Sequence, residues 1–186
     1  MTVTNDYDVV GRRIASSDPN IGDWKYAYDA FGQLTLQENG AGRRVCLSYD
    51  VLGRKVSRID DYLSNATWAT AMASALNNCQ GQIASTRWRY DDASKGVGRL
   101  SGVTMGGGYD SEPFYDTVGR PIQTETTFEG ETYVKSTTYE PETGRISTIT
   151  PTHRVSGPNI EVQYSYKETS EKLTLRIFQP KRIQVM

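Results

Sequence analysis

Apolar and polar residues alternate with period two along most of this chain. Lys25-Tyr26-Ala27-Tyr28 alternates, Asp29-Ala30-Phe31-Gly32 breaks the alternation, and Gln33-Leu34-Thr35-Leu36-Gln37 resumes it. That is the pattern of a β-hairpin with one half-buried face. An Asp that opens a turn accepts hydrogen bonds from the amides after it, and a Gly in fourth place takes the φ > 0 that feeds the return strand. Glu38-Asn39-Gly40-Ala41-Gly42 reverses the chain at the opposite end, and Arg43-Arg44-Val45-Cys46-Leu47-Ser48-Tyr49 runs back. Turns at both ends of each unit generate a continuous meander, so the predicted class is all-β: an antiparallel sheet of stacked hairpins, open and curved.

The turn signature recurs. It reads Tyr7-Asp8-Val9-Val10-Gly11-Arg12, Tyr28-Asp29-Ala30-Phe31-Gly32-Gln33 and Tyr49-Asp50-Val51-Leu52-Gly53-Arg54, at intervals of 21 residues. A looser copy runs from Tyr90-Asp91 to Gly98-Arg99, a clean one is Tyr115-Asp116-Thr117-Val118-Gly119-Arg120, and a modified one runs from Tyr139-Glu140 to Gly144-Arg145. A fixed period of this length marks a repeat architecture, in which each unit leans on its neighbours for burial. Period-two geometry brings equivalent positions side by side, so Tyr7, Tyr28, Tyr49, Tyr90 and Tyr115 are expected to form an aromatic spine with wet hydroxyls. Arg12, Arg54, Arg99 and Arg120 are expected to stack on those rings or to pair with the turn aspartates. These roles are architectural, not catalytic.

Between Tyr49 and Tyr90 the spacing stretches to 41 residues with no motif inside it. There Trp68, Met72 and Leu76 recur every four residues in an Ala-rich stretch after Ser64 and Asn65, which predicts a capped helix of about three turns near 64–78, ending at Asn77-Asn78. The helix would sit in an insertion over about 62–82; the alternative is a degenerate repeat with a long loop. After residue 150, Val162–Tyr166 and Leu173–Phe178 read as strands, but no Asp-x-x-Gly turn joins them. The expected division is therefore a repeat sheet over 1–150 and an atypical segment over 151–186, made of strands or partly disordered.

Composition narrows the function. Among 186 residues there are 17 Gly and 12 Tyr, and the net charge is -1, with the 21 basic and 22 acidic residues dispersed. A nucleic-acid or anionic-membrane surface needs clustered positive charge, and no apolar run approaches a membrane span. The first residues have neither the basic start nor the apolar core of a signal peptide. Disulfide-built scaffolds carry four or more cysteines, so Cys46 and Cys79 are expected as free thiols, although one bridge is open to them. His153 stands alone in a loop, too little for a zinc cluster or a nucleophile's base. Met105-Gly106-Gly107-Gly108-Tyr109 lacks the Lys-Ser/Thr of a phosphate loop. Asp60-Asp61 and Asp91-Asp92 lack the spaced oxygen ligands of a calcium loop. No catalytic residue, metal or cofactor is expected.

The Tyr-Asp-x-x-Gly-Arg series, over roughly residues 7–146, resembles the YD repeat of the rearrangement-hotspot (Rhs) proteins, which include the BC cocoon of insecticidal toxin complexes and the animal teneurins. Lys95-Gly96-Val97-Gly98-Arg99-Leu100-Ser101-Gly102 is similar to a long-turn variant of that repeat. The resemblance implies a β-sheet that spirals into a hollow shell enclosing or presenting a toxin or effector domain, part of a larger protein exported to the outside or the cell surface. Its partners would be further shell repeats and the enclosed domain, with self-association through open sheet edges. It links the family to carbohydrate too, so the second reading is a glycan-binding or cell-surface module in which Trp24, Trp68 and Trp88 stack on sugar rings. Departures are Gln33 for Arg, Glu140 for Asp, and the absence of the Pro-Asp-Pro-Ile-Gly-Leu segment that ends the Rhs core. The chain thus reads as a fragment or truncated product of a larger shell protein.

Overall fold

The computed structural model describes the backbone of residues 2–79, 81–153, 161–167 and 170–178, and side chains through residue 151. Residues 154–160 and 179–186, where the sequence offered no motif, lie outside the described residues. The chain divides into two units, Met1–Trp88 and Arg89–Met186. The first contains β1 (Thr4–Tyr7), β2 (Arg13–Asp18), β3 (Gly22–Tyr28), β4 (Leu34–Asn39), β5 (Arg44–Tyr49), β6 (Lys55–Asp60) and α1 (Trp68–Ala75). β7 (Thr86–Tyr90) leads the chain into the second unit, which contains β8 (Leu100–Met105), β9 (Tyr109–Tyr115), β10 (Pro121–Phe128), β11 (Glu131–Tyr139), β12 (Ile146–His153), β13 (Glu161–Lys167) and β14 (Ser170–Phe178).

Within each unit the strands lie in sequence order and pair antiparallel, and neither sheet closes on itself. The all-β meander read from the alternation is the observed fold. The register shifts by one residue at four of the motif tyrosines, at Asp6/Tyr7, Ala27/Tyr28, Ser48/Tyr49 and Thr138/Tyr139. These are β-bulges, and their cause is local. Gly11, Gly32, Gly53 and Gly119 hold φ between +77° and +84°, which is the turn-plus-bulge geometry of a hairpin that an L side chain resists.

The core lies in the first unit. Ala27, Leu36, Cys46, Ile59, Tyr62, Ala71, Ala75 and Cys79 form one buried cluster, with Leu63, Trp68 and Ala84 packed against it. The insertion is helical, as its Ala-rich four-residue spacing predicts, but its details differ. Thr67 is the cap, accepting from the Thr70 amide at 3.2 Å, and the helix has eight residues. Ser64 and Asn65 lie instead in a turn closed by the Ala66 amide on the Leu63 carbonyl, and Arg44 donates to the carbonyls of Leu63 and Ala66 at 2.6 and 2.8 Å. The buried face is Ala71 and Ala75, while Met72 and Leu76 are exposed. Methyl side chains let the helix lie close to the sheet; the large residues would hold it off.

A second correction concerns the cysteines. Cys46 and Cys79 are joined in a disulfide across a Cα separation of 6.0 Å, and both are buried. The insertion that breaks the repeat period also brings the chain back over β5, so two residues 33 apart in sequence meet. Counting cysteines could not show that approach.

Candidate interaction site: the motif ladder and its cleft

In each clean motif copy the aspartate organises its own turn. Asp8 Oδ1 accepts from the amides of Val10 and Arg12 at 3.0 and 2.9 Å, and Asp50 and Asp116 repeat the pattern. Oδ2 then takes the motif arginine: Arg12 to Asp8 at 2.6 Å, Arg54 to Asp50 at 2.7 Å, Arg120 to Asp116 at 2.7 Å. Asp8 is held below the usual carboxylate range foremost by the Arg12 amide. For Asp50 and Asp116 partial burial pushes upward, but the amide and guanidinium of Arg54 and Arg120 outweigh it. The modified copy closes with Gly144 bonded to the Glu140 carbonyl, and Glu140 also takes the Thr143 hydroxyl. In the loose copy Asp91 receives the Gly98 amide at 2.7 Å, and the Arg145 amide bonds Thr143 in the modified one.

The motif also joins one repeat to the next. The guanidinium of Arg12 sits 5.1 Å from the Tyr28 ring centre, Arg99 5.7 Å from Tyr115, and Arg120 4.4 Å from Tyr139. The tyrosine hydroxyl returns the contact by donating to the carbonyl just after the preceding motif: Tyr28 to Arg13, Tyr49 to Leu34, Tyr115 to Leu100, Tyr139 to Pro121, all at 2.7–2.9 Å. These four hydroxyls are therefore bonded to backbone, which the expectation of wet hydroxyls did not include. At Tyr28, Tyr115 and Tyr139 the ring thus faces a cation of the preceding motif. Tyr7, in the first copy, is exposed. Gly119 has a second reason to be glycine, because a Cβ there would meet the Arg99 guanidinium at 2.6 Å.

Sequence reading missed two features. Asn39 forms the same turn at the opposite end of the hairpin, its Oδ1 accepting from Ala41 and Arg43 at 3.1 and 2.9 Å, with Gly42 at φ +75°. The signal, Asn-x-x-Gly-Arg, was present but lacked the tyrosine. Glu38 binds Arg44 at 2.5 Å and Lys25 at 3.0 Å, and Arg44 reaches on to the base of the insertion. Burial pushes Glu38 upward, but the bonds from Lys25 and Arg44 win and hold its pKa down.

The three tryptophans do not converge. Trp24 stacks on Tyr26 at 6.4 Å, Lys25 lies 5.8 Å from the Trp68 ring and Lys55 5.7 Å from the Trp88 ring. Beside the second and third motif turns and the end of α1 opens a cleft of about 780 Å³, lined by Asp29, Phe31, Tyr49, Asp50, Leu52 and Leu76 among others. Burial foremost, and the charge of Asp29 second, push the Tyr49 hydroxyl up. Among the described residues no group of three or more His, Cys, Asp or Glu is placed to hold a metal, and no helix is long and apolar enough to cross a membrane.

No protein-family model and no curated protein matches the sequence. Solved structures show similarity to the chain. A crystal structure of TcdB2-TccC3-Cdc42 is similar at 15% identity over 94% of this chain and 12% of that one, with a TM-score of 0.33. TcdB2-TccC3-TEV is similar at 16% identity over 94% of this chain and 12% of that one, TM-score 0.32. TcdB2-TccC3 without its hypervariable C-terminal region gives 14% over 95% and 12%, TM-score 0.31. The chain thus spans about 12% of the length of the structures it matches.

Proposed function

We propose that this chain is a non-catalytic wall element of a YD-repeat shell, which encloses or presents a toxin or effector domain of a larger exported protein. The observation that supports it is the ladder itself. Each motif spends its side chains on the next repeat, through Arg12 on Tyr28 and Tyr28 back on Arg13, for example, so the residues that recur are consumed in making wall. In this reading residues 1–150 are the repeat sheet, about 62–82 an insertion upon it, and 151–186 a distinct terminal segment. Its partners are further repeats on open strand edges and the domain inside. The buried Cys46–Cys79 disulfide supports a place outside the reducing cytosol, where such bridges persist. Glycan binding has less support, because the faces of Trp68 and Trp88 already carry lysine ammonium groups.

β1 is exposed at every residue, and an unpaired strand edge recruits another chain. Light scattering behind size exclusion tests the reading. The purified chain is expected to gain mass with concentration, and Asn5→Pro in β1 is expected to reduce that gain. A monomer at every concentration, combined with saturable tryptophan quenching by sugars, would replace the wall with a glycan-binding module.

A further inference from the structure

We propose that the cleft beside Asp29 docks an extended polypeptide that presents one arginine between apolar side chains. Gln33 is the starting point. In the copies at Asp8, Asp50 and Asp116 an arginine of the same motif occupies Oδ2. Asp29 has Gln33 instead: Oδ1 takes the amides of Phe31 and Gln33, both at 2.9 Å, Arg12 reaches only the Asp29 carbonyl, at 3.0 Å, and among the described residues Oδ2 has no hydrogen bond or ion pair. The Gln33 side-chain nitrogen lies against Gly53, 3.0 Å from where a Cβ would stand, so it turns toward the following repeat.

The same replacement leaves a second contact open. An arginine of one motif also covers the tyrosine of the next, as Arg12, Arg99 and Arg120 do. The tyrosine that follows Gln33 is Tyr49, and no cation among the described residues lies over its ring. Asp29 and Tyr49, counterparts of the two residues that bind arginine elsewhere in this fold, thus line one cleft together. A guanidinium suits both, since its planar fork pairs with carboxylate and stacks on aromatic rings. The rim selects a polypeptide over a free amino acid: Phe31 is 90% exposed, Val51 100%, Leu52 72% and Leu76 52%, apolar area that only residues flanking the arginine would cover. This docking is separate from the wall reading, and either stands if the other falls.

The probe is an acetylated, amidated leucyl-arginyl-leucine peptide, titrated calorimetrically against the whole chain beside its citrulline counterpart, which keeps the shape and lacks the charge. Saturable binding of the arginine peptide is expected, weaker by about tenfold or more for the citrulline peptide and for Asp29→Asn, as loss of a charge-assisted bond implies. Gln33→Arg is the sharper variant, because it supplies the arginine from within. It should raise the melting temperature and abolish binding together. No saturable binding by the unaltered chain, equal affinity for the two peptides, or undiminished binding by Gln33→Arg would each overturn the proposal.

Discussion

The two units use one motif and differ in what stands behind it. In Met1–Trp88, helix α1 lies on the sheet, a disulfide fixes the segment that carries it, and Leu36, Cys46 and Tyr62 are fully enclosed. In Arg89–Met186, no hydrophobic side chain among the described residues is buried; Ser101 is the polar exception. Yet the staple is the same in both. Tyr49 and Tyr115 donate to Leu34 and Leu100 at 2.9 and 2.7 Å, and Asp50 and Asp116 hold their arginines at one distance, 2.7 Å. Motif geometry therefore does not need a core beneath it. Turn chemistry and backbone pairing set the repeat, and the core comes from the one place where the repeat is missing.

That contrast predicts where stability is lost. Replacing Cys46 and Cys79 by Ala should act most strongly, because the bridge closes a loop of 33 residues. Chain-entropy reasoning puts the loss at about 3 to 4 kcal/mol. Hydrogen exchange followed by peptide should show it in residues 1–88 and leave 89–153 unchanged. Equal loosening of both would mean that the units are not independent in stability. Next, Leu36→Ala should cost about 3 kcal/mol, as methylene removal from an enclosed site does. Val103→Ala, on half-buried β8, should cost under about 1 kcal/mol. Denaturant melts of the two variants check this, and equal losses would break the contrast between a cored and an uncored sheet.

A smaller effect should ignore the contrast. Tyr49→Phe and Tyr115→Phe each delete one hydroxyl that donates to a backbone carbonyl, worth about 1 kcal/mol. If the staple is independent of what lies behind the sheet, the two variants lose equal stability in denaturant titration. A much larger loss for Tyr49→Phe would mean that α1 and the disulfide tighten the motif after all.

How much of this was legible follows from which forces are local. Tyr-Asp-x-x-Gly-Arg is a short-range device: its aspartate bonds amides two and four residues on, and its glycine sets one φ, so the hairpins and their order could be read from spacing. The alternation in Lys25–Tyr28 and Leu34–Gln37 likewise carries its own direction. The rest depended on approach between distant segments. Trp68, Met72 and Leu76 look like the buried stripe because they are large, yet only Trp68 packs against the core, and the sheet selected Ala71 and Ala75 because they are small. The bridge from Cys46 to Cys79 and the reach of Arg44 to Ala66 depend on where the insertion lands. Gln33 was visible as a departure from the motif, but the open Asp29 oxygen and bare Tyr49 face became visible only once the repeats lay side by side.

Acid should sharpen the comparison last and least. Asp8, Asp50 and Asp116 titrate below their ordinary 3.8, and Glu38 below 4.5. A carboxylate with a depressed folded pKa contributes stability that is complete above its unfolded value and is lost as pH falls through the folded one. Both units should therefore weaken below about pH 4, but the first holds Asp8, Asp50 and Glu38 against Asp116 alone in the second, and Glu38 is tied to Arg44 and through it to the base of the insertion. The first unit's stability should fall more steeply with acid. Glu38→Gln keeps the shape and removes the titration, so it should lower stability at neutral pH and flatten the acid dependence of residues 1–88 toward that of the second unit. Hydrogen exchange between pH 3 and 6, corrected for intrinsic rates, measures both slopes; if the difference between them survives Glu38→Gln undiminished, the buried pair contributes nothing to it.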